Sequence, residues 1–199
     1  MARTPDPVLK QELLDQVVGY LAVHGIGMLS LGPMAEALEM SRHRLKHHFG
    51  PREELIAAAL RRATEVQEDV QAQWFALNPA ITQPELFRKW WRWLSTSASN
   101  LALVRLGLEA ATLDATISTV AHAVRAEQIG VWRTKIEDRF VAAGVPRKAA
   151  AIEATQAKAM FTGLVVDLMA SGETKRLNVA LDSYLTQLSA RISEYATDR

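Results

Sequence analysis

The chain has 199 residues, 49% of them apolar, with 23 basic against 22 acidic side chains for a net charge of +1, and no cysteine. That length and composition allow one large domain or a small module fused to a larger one, with a core that needs no disulfide, and they exclude thiolate metal sites and a thiol nucleophile. The opening MARTPDPVLKQ lacks the apolar run of a secretory signal, and no later segment approaches the roughly 20 apolar residues of a membrane span, so a cytoplasmic protein without a membrane partner is expected.

Apolar residues recur at helical rather than alternating spacing, which predicts an all-α protein. Leu14, Val17, Val18 and Leu21 follow the i, i+3, i+4, i+7 rule on a first helix over about Pro7 to His24, ended by Gly25 in a left-handed conformation. A second helix starts with Ser30 as N-cap and Pro33 in its first turn, and ends near Leu38. Glu39 and Met40 form a turn, Ser41 caps a third helix over about Arg42 to His48, and Gly50-Pro51 stops it. A fourth helix opens with Glu53 and Glu54 in its first turn and runs to about Leu77. After the Asn78-Pro79 and Gln83-Pro84 breaks, helices are predicted near 84–97, 100–113, 117–143, 146–171 and 175–196.

The second and third helices read as a helix-turn-helix. In that device one helix braces the other, whose N-terminal side chains meet base edges in the major groove. Met34, Ala35, Leu38, Met40 and Leu45 form an inward apolar set, and Arg42, His43, Arg44, Lys46 and His47 an outward polar one. Between Ser41 and Arg52 stand four Lys/Arg and three His with no acid, so the near-neutral average hides a local basic concentration. The candidate DNA contacts are Ser30, Ser41, Arg42, His43, Arg44, Lys46, His47, His48 and Arg52. Arg42 and Arg44 can each take a guanine bidentately or hold a phosphate, Lys46 and His48 suit backbone oxygens, and Arg52 at a helix start suits a phosphate clamp. A basic helix face is ordinarily just solvated; the caps and the inward set argue otherwise here. His43 and His47 are four apart, but no acid or cysteine in the segment completes a metal site, so no metal is expected.

The segment from about Gln11 to Arg62 resembles the DNA-binding domain of the TetR family of bacterial transcriptional regulators. LAVHGIGMLSL resembles that family's first helix and its exit, MAEALEMS its second helix and turn, and LKHHFGPREELIAAAL its third and fourth helices; His48-Phe49 followed by a basic residue and Glu-Leu is the most specific part. Two positions depart: Glu39 stands where the family commonly has glycine, and Lys46 where a tyrosine usually contacts phosphate. The resemblance divides the chain into a DNA-binding domain at 7–62 and a helical ligand-binding and dimerisation domain at 63–199. It implies a homodimeric regulator, most often a repressor, that binds a palindromic double-stranded operator and is released by a small-molecule effector.

All five tryptophans fall after the basic segment, and Phe87, Trp90, Trp91 and Leu94 share one helix face. Plain core packing accounts for such a face; the alternative is a cavity with Trp90, Trp93, Leu108, Trp132 and Phe161 as walls and Arg105, Glu109, Thr112 and Gln128 as polar contacts, suited to a largely apolar or aromatic effector. On the last two helices Phe161, Leu164, Leu168, Leu181, Tyr184, Leu185, Leu188 and Ile192 form apolar stripes. These are intramolecular core or, as the resemblance implies, the dimer interface. No nucleophile paired with a base, metal cluster or glycine-rich phosphate loop supports catalysis, so neither an enzyme nor a cofactor is expected. A DNA-binding regulator without a ligand, and a helical enzyme or carrier using the tryptophans, are the competing readings.

Overall fold

A computed structural model describes residues 7–114 and 116–197, which form helices and no strand. The helices are α1 (Pro7–His24), α2 (Leu31–Ala37), α3 (Arg42–Phe49), α4 (Arg52–Leu77), α5 (Gln83–Ser95), α6 (Ala98–Thr112), α7 (Thr119–Ala142), α8 (Arg147–Ser171) and α9 (Thr174–Thr197). The protein is all-α, with an N-terminal helix-turn-helix and a helical C-terminal part. None of its described helices is long and apolar enough to cross a membrane.

Helix ends follow local chemistry. At the close of α1, Gly25 adopts φ 81° and its N–H donates to Leu21 O at 2.8 Å, the left-handed ending that a glycine reaches without a Cβ clash. α5 begins earlier than the proline pair suggested. Thr82 is its N-cap in a reciprocal capping box with Glu85, and Pro84 lies within the first turn, where its missing N–H has no helical partner to lose. The Thr82 backbone N–H holds the Glu85 carboxyl below the usual carboxylate range.

The chain divides into two units. One holds residues up to Trp74 together with Ser97–Gln128; the other holds Phe75–Thr96 and the residues from Ile129 onward. The division therefore falls inside α4 and α7, and α6 belongs with the N-terminal helices, where the linear split at 62 and 63 had not put it.

In the first unit Val17 and Leu21 of α1, Met34 of α2, Leu45 and Phe49 of α3, Leu55, Ile56 and Leu60 of α4, Leu106 of α6 and Val124 of α7 share one buried core. Each fully buried side chain of this size stabilises by about 1.5–3 kcal/mol relative to exposure, so the short α2 and α3 are held by packing rather than by their own helix propensity. Arg105 and Glu109 fasten α6 to the end of α1. Arg105 donates to the carbonyls of Ala22 and Val23, and Glu109 Oε1 accepts from the N–H groups of Ile26 and Gly27 at 2.7 and 3.0 Å.

In the second unit the last two helices bury their stripes inside the chain. Phe161 and Leu168 of α8 and Leu181, Leu185 and Leu188 of α9 are at most 7% exposed, while Leu164, Tyr184 and Ile192 are half-buried. Read from sequence as a dimer interface, the five buried side chains are intramolecular core, because α8 and α9 close on each other and leave a different face outside. That outer face carries Ile152, Ala159, Gly163, Val166 and Ala170 of α8 at coiled-coil spacing, with Val179 of α9.

Candidate nucleic-acid interface

Everything outward on α3 is basic, and everything inward is apolar. Arg42, His43, Arg44, Lys46 and His47 are exposed, whereas Leu45 and Phe49 are buried in the core of the first unit. Ser41 is the N-cap of α3, its hydroxyl accepting from the Arg44 N–H at 3.1 Å, so that Arg42, His43 and Arg44 occupy the first turn of the helix. Ser30 holds the N-cap position of α2 in extended backbone with an exposed side chain, and its hydroxyl makes no capping bond.

The turn between the two helices decides how α3 is presented. Met40 N donates to Ala35 O at 2.9 Å and Glu39 N to Glu36 O at 3.0 Å, the paired bonds of a Schellman ending. That ending places one residue in left-handed backbone, and here it is Glu39 at φ 52°, the one described non-glycine residue with positive φ. The turn is thus built as a glycine turn with a glutamate in it. A Cβ there costs about 1–2 kcal/mol. Glu39→Gly is expected to raise stability by about 1 kcal/mol, roughly 2–4 °C in Tm for a chain of this size, whereas Glu39→Ala keeps the Cβ and gains little. A thermal melt in which alanine does as well as glycine would contradict the backbone explanation.

Arg52 lies elsewhere than the phosphate clamp expected of it. Its guanidinium donates to the carbonyls of Leu29 at 3.2 Å, Ile26 at 3.1 Å and Ile117 at 3.3 Å, and pairs with Glu53 at 2.6 Å. These bonds tie the α1–α2 loop and the segment before α7 to the start of α4, and they occupy the donors a phosphate would need. His48 is half-buried with an unpartnered, buried Nδ1, and burial, followed by Arg44, His47 and Lys10, pushes its imidazole below the usual histidine range. It is half-buried beside the Phe49 ring, unlike the exposed His47.

Of the residues read as pocket walls, Trp90, Trp132 and Phe161 come together in the second unit. Phe87 packs on Phe161 at 4.7 Å and on Trp132 at 6.5 Å between ring centroids, and Trp90 meets Phe161 edge-on at 5.6 Å. Trp91 donates to Asn178 Oδ1 at 2.6 Å, and Trp93 is half-buried on the same helix. Arg105, Leu108, Glu109, Thr112 and Gln128 fall in the first unit. There Arg105 and Glu109 serve the end of α1, the Thr112 hydroxyl donates to Leu108 O of its own helix at 3.1 Å, and Gln128 Nε2 donates to Leu60 O at 2.9 Å. Arg125 of α7 is half-buried beside Gln128, a placement with no signal in the sequence, since a lone arginine in an amphipathic helix does not mark burial.

No family model matches the chain, and no curated protein matches it in sequence. Solved structures do match in shape. A TetR transcriptional regulator from Legionella pneumophila superposes with a TM-score of 0.74 at 15% identity, over 94% of this chain and 99% of that one. A TetR-family transcriptional regulator from Rhodococcus sp. gives 0.72 at 18% identity over 91% and 96% of the two chains. A transcriptional regulator from Saccharomonospora viridis in complex with choline gives 0.65 at 15% identity over 91% and 97%. The likeness first read in Gln11 to Arg62 therefore extends along nearly the whole chain, which has the fold of the TetR-type transcriptional regulators.

Proposed function

We propose that this protein is a ligand-responsive transcriptional regulator, acting as a repressor, that binds a palindromic double-stranded operator as a homodimer and leaves it when a small molecule binds. The observation that carries this reading is the exposed basic face of α3, seated on buried Leu45 and Phe49 behind a Schellman turn. Five outward cationic or imidazole side chains within six residues, free of acids, form the footprint that phosphate contact requires. In this reading Arg42 and Arg44, in the first turn, contact bases, and Lys46, His47 and the exposed hydroxyl of Ser30 hold backbone phosphates.

The exposed, coiled-coil-spaced face of α8, from Ile152 through Gly163 and Val166, supports the homodimer, since small residues let helices of two copies approach closely. Two reading helices related by a twofold axis suit half-sites about 34–36 Å apart. The choline-bound Saccharomonospora viridis structure supports the effector, because it shows a small molecule held by a chain of this fold.

The test is fluorescence anisotropy on DNA upstream of the protein's own gene, against random duplex, at several salt concentrations. Specific binding that weakens linearly in log salt is expected, and no affinity for any duplex at low salt would end the proposal. Arg44→Ala is expected to lower operator affinity by about 1–3 kcal/mol while changing random-duplex affinity far less. Equal losses on both would move Arg44 from base to phosphate.

A further inference from the structure

Arg125 is a half-buried charge that meets no counter-charge among the described residues. It stands on α7, and its guanidinium lies against α6 at Gly107, where an added Cβ would sit 3.1 Å from Nη1 and 3.2 Å from Cζ. Its Nη1 donates to Gln128 Oε1 in a long bond of 3.4 Å, and the Gln128 amide is itself fixed by its bond to Leu60 O of α4 at 2.9 Å. Among the described residues the buried Nε has no partner, and no carboxylate pairs with this arginine. Burial alone pushes its pKa below the usual arginine range.

Other half-buried arginines of the chain are satisfied. Arg52 has three carbonyls and Glu53, Arg62 has Asp15, and Arg139 has Gln83 and Ile81 O. Arg191 is the instructive comparison: its Nε and Nη2 take the two oxygens of Glu153 at 2.8 and 2.9 Å. The same Nε–Nη2 edge of Arg125 donates to no described residue.

A guanidinium does not shed its proton at any ordinary pH, so burial cannot be relieved by neutralisation as it would be for a lysine. Arg139 finds its relief in neutral carbonyl oxygens; the Nε–Nη2 edge of Arg125 meets none among the described residues, and a planar two-donor edge matches a carboxylate or a phosphate. Gly107 points the same way. Glycine inside a helix is disfavoured relative to alanine, yet here its missing Cβ is what admits the guanidinium.

We infer that Arg125, with Gln128 beside it, receives the anionic group of the effector, a carboxylate or a phosphate. This rests on the effector-responsive reading above and names the ligand's class. It also gives that ligand a route to the reading helix. Leu60, whose carbonyl holds Gln128, and Leu106 and Val124, which flank Gly107 and Arg125 in sequence, share the buried core that seats Leu45 of α3. An anion drawn onto Arg125 biases how α4, α6 and α7 pack, provided it binds the two DNA-binding states unequally.

The experiment uses the full chain with octanoate and octyl phosphate as anionic probes, octanol as a neutral one, and octylammonium and choline as cationic ones, read by thermal melting and titration calorimetry. One or both anions are expected to bind and raise Tm, and which does so separates a carboxylate effector from a phosphate one. Arg125→Gln is expected to weaken that binding at least about tenfold, with Arg125→Lys intermediate because it keeps charge but lacks the fork. Gly107→Ala, which crowds the guanidinium without removing it, is expected to weaken anion binding while leaving Tm unchanged or higher. Without any probe, Arg125→Gln is expected to melt about 2–4 °C higher than the parent, since an unpaired, half-buried charge is gone.

An Arg125→Gln protein that melts lower than the parent, or anions that bind no better than octanol, would overturn the assignment. Affinity for the upstream duplex, measured on the same preparations without probe, reports separately on the regulator reading. Anion binding with no DNA binding refutes the regulator and leaves the anion site, and the reverse result does the opposite.

Discussion

Arg191→Leu is expected to lower the stability of the chain by about 3–5 kcal/mol, the cost of leaving a buried partner charge uncompensated. Glu153 of α8 has a side chain only 6% exposed and is met by Arg191 of α9 through two parallel bonds of 2.8 and 2.9 Å. The carboxylate in return holds the guanidinium above the usual arginine range. Beside them the buried Tyr184 hydroxyl has no partner among the described residues, and burial, then Glu153, pushes its phenol up to about 12. Removing Arg191 therefore strands the Glu153 carboxylate, 6% exposed, beside that phenol. A urea melt of Arg191→Leu should show the full loss, and the double change Glu153→Leu with Arg191→Leu should recover most of it, because a well-packed apolar pair often matches a buried ion pair. A double variant as unstable as the single one would show that packing, rather than the stranded charge, sets the loss.

Glu109→Ala is expected to lower stability by about 3 kcal/mol, from the loss of two bonds to a charged acceptor worth about 1.5–3 kcal/mol each, partly regained as water reaches the loop. The carboxylate accepts from Ile26 and Gly27 and lies so close to Gly25 that a Cβ there would be 2.8 Å from Oε1. This loop leads into Ser30 and α2, so the change should also weaken operator binding beyond what its stability loss explains at low temperature. Glu109→Gln keeps a carbonyl oxygen at the acceptor position and is expected to retain more than half of both. Urea denaturation paired with anisotropy on the upstream duplex checks it; equal damage from alanine and glutamine would assign the role to the negative charge instead of the acceptor geometry.

Glu153 and Arg191 are 38 positions apart and Glu109 and Ile26 are 83 apart, and nothing in the spacing of either pair marks them as neighbours. Periodicity sees one helix at a time. It placed Leu45 inward and Arg44 outward because that distinction is local to α3, and it placed Gly25 at a helix end because a left-handed residue is a local demand. It could not assign Arg105 and Glu109, whose polar side chains on an amphipathic helix suit a ligand cavity as well as another helix's end. Likewise the stripe on α8 and α9 is visible in the chain, but whether it meets its own neighbour or a second copy depends on which helix folds against it.

What the amino-acid order alone determined was the helical class, the helix boundaries to within a few residues, and the exposed basic face of α3, since caps, turns and 3.6-residue periodicity are short-range properties. Only the tertiary structure decided that α6 belongs with the N-terminal helices, that Arg52 serves three carbonyls, that Glu39 bears the left-handed turn, and that Arg125 meets no counter-charge among the described residues. Burial and charge pairing are set by residues that meet across long stretches of chain, and no local pattern encodes those meetings.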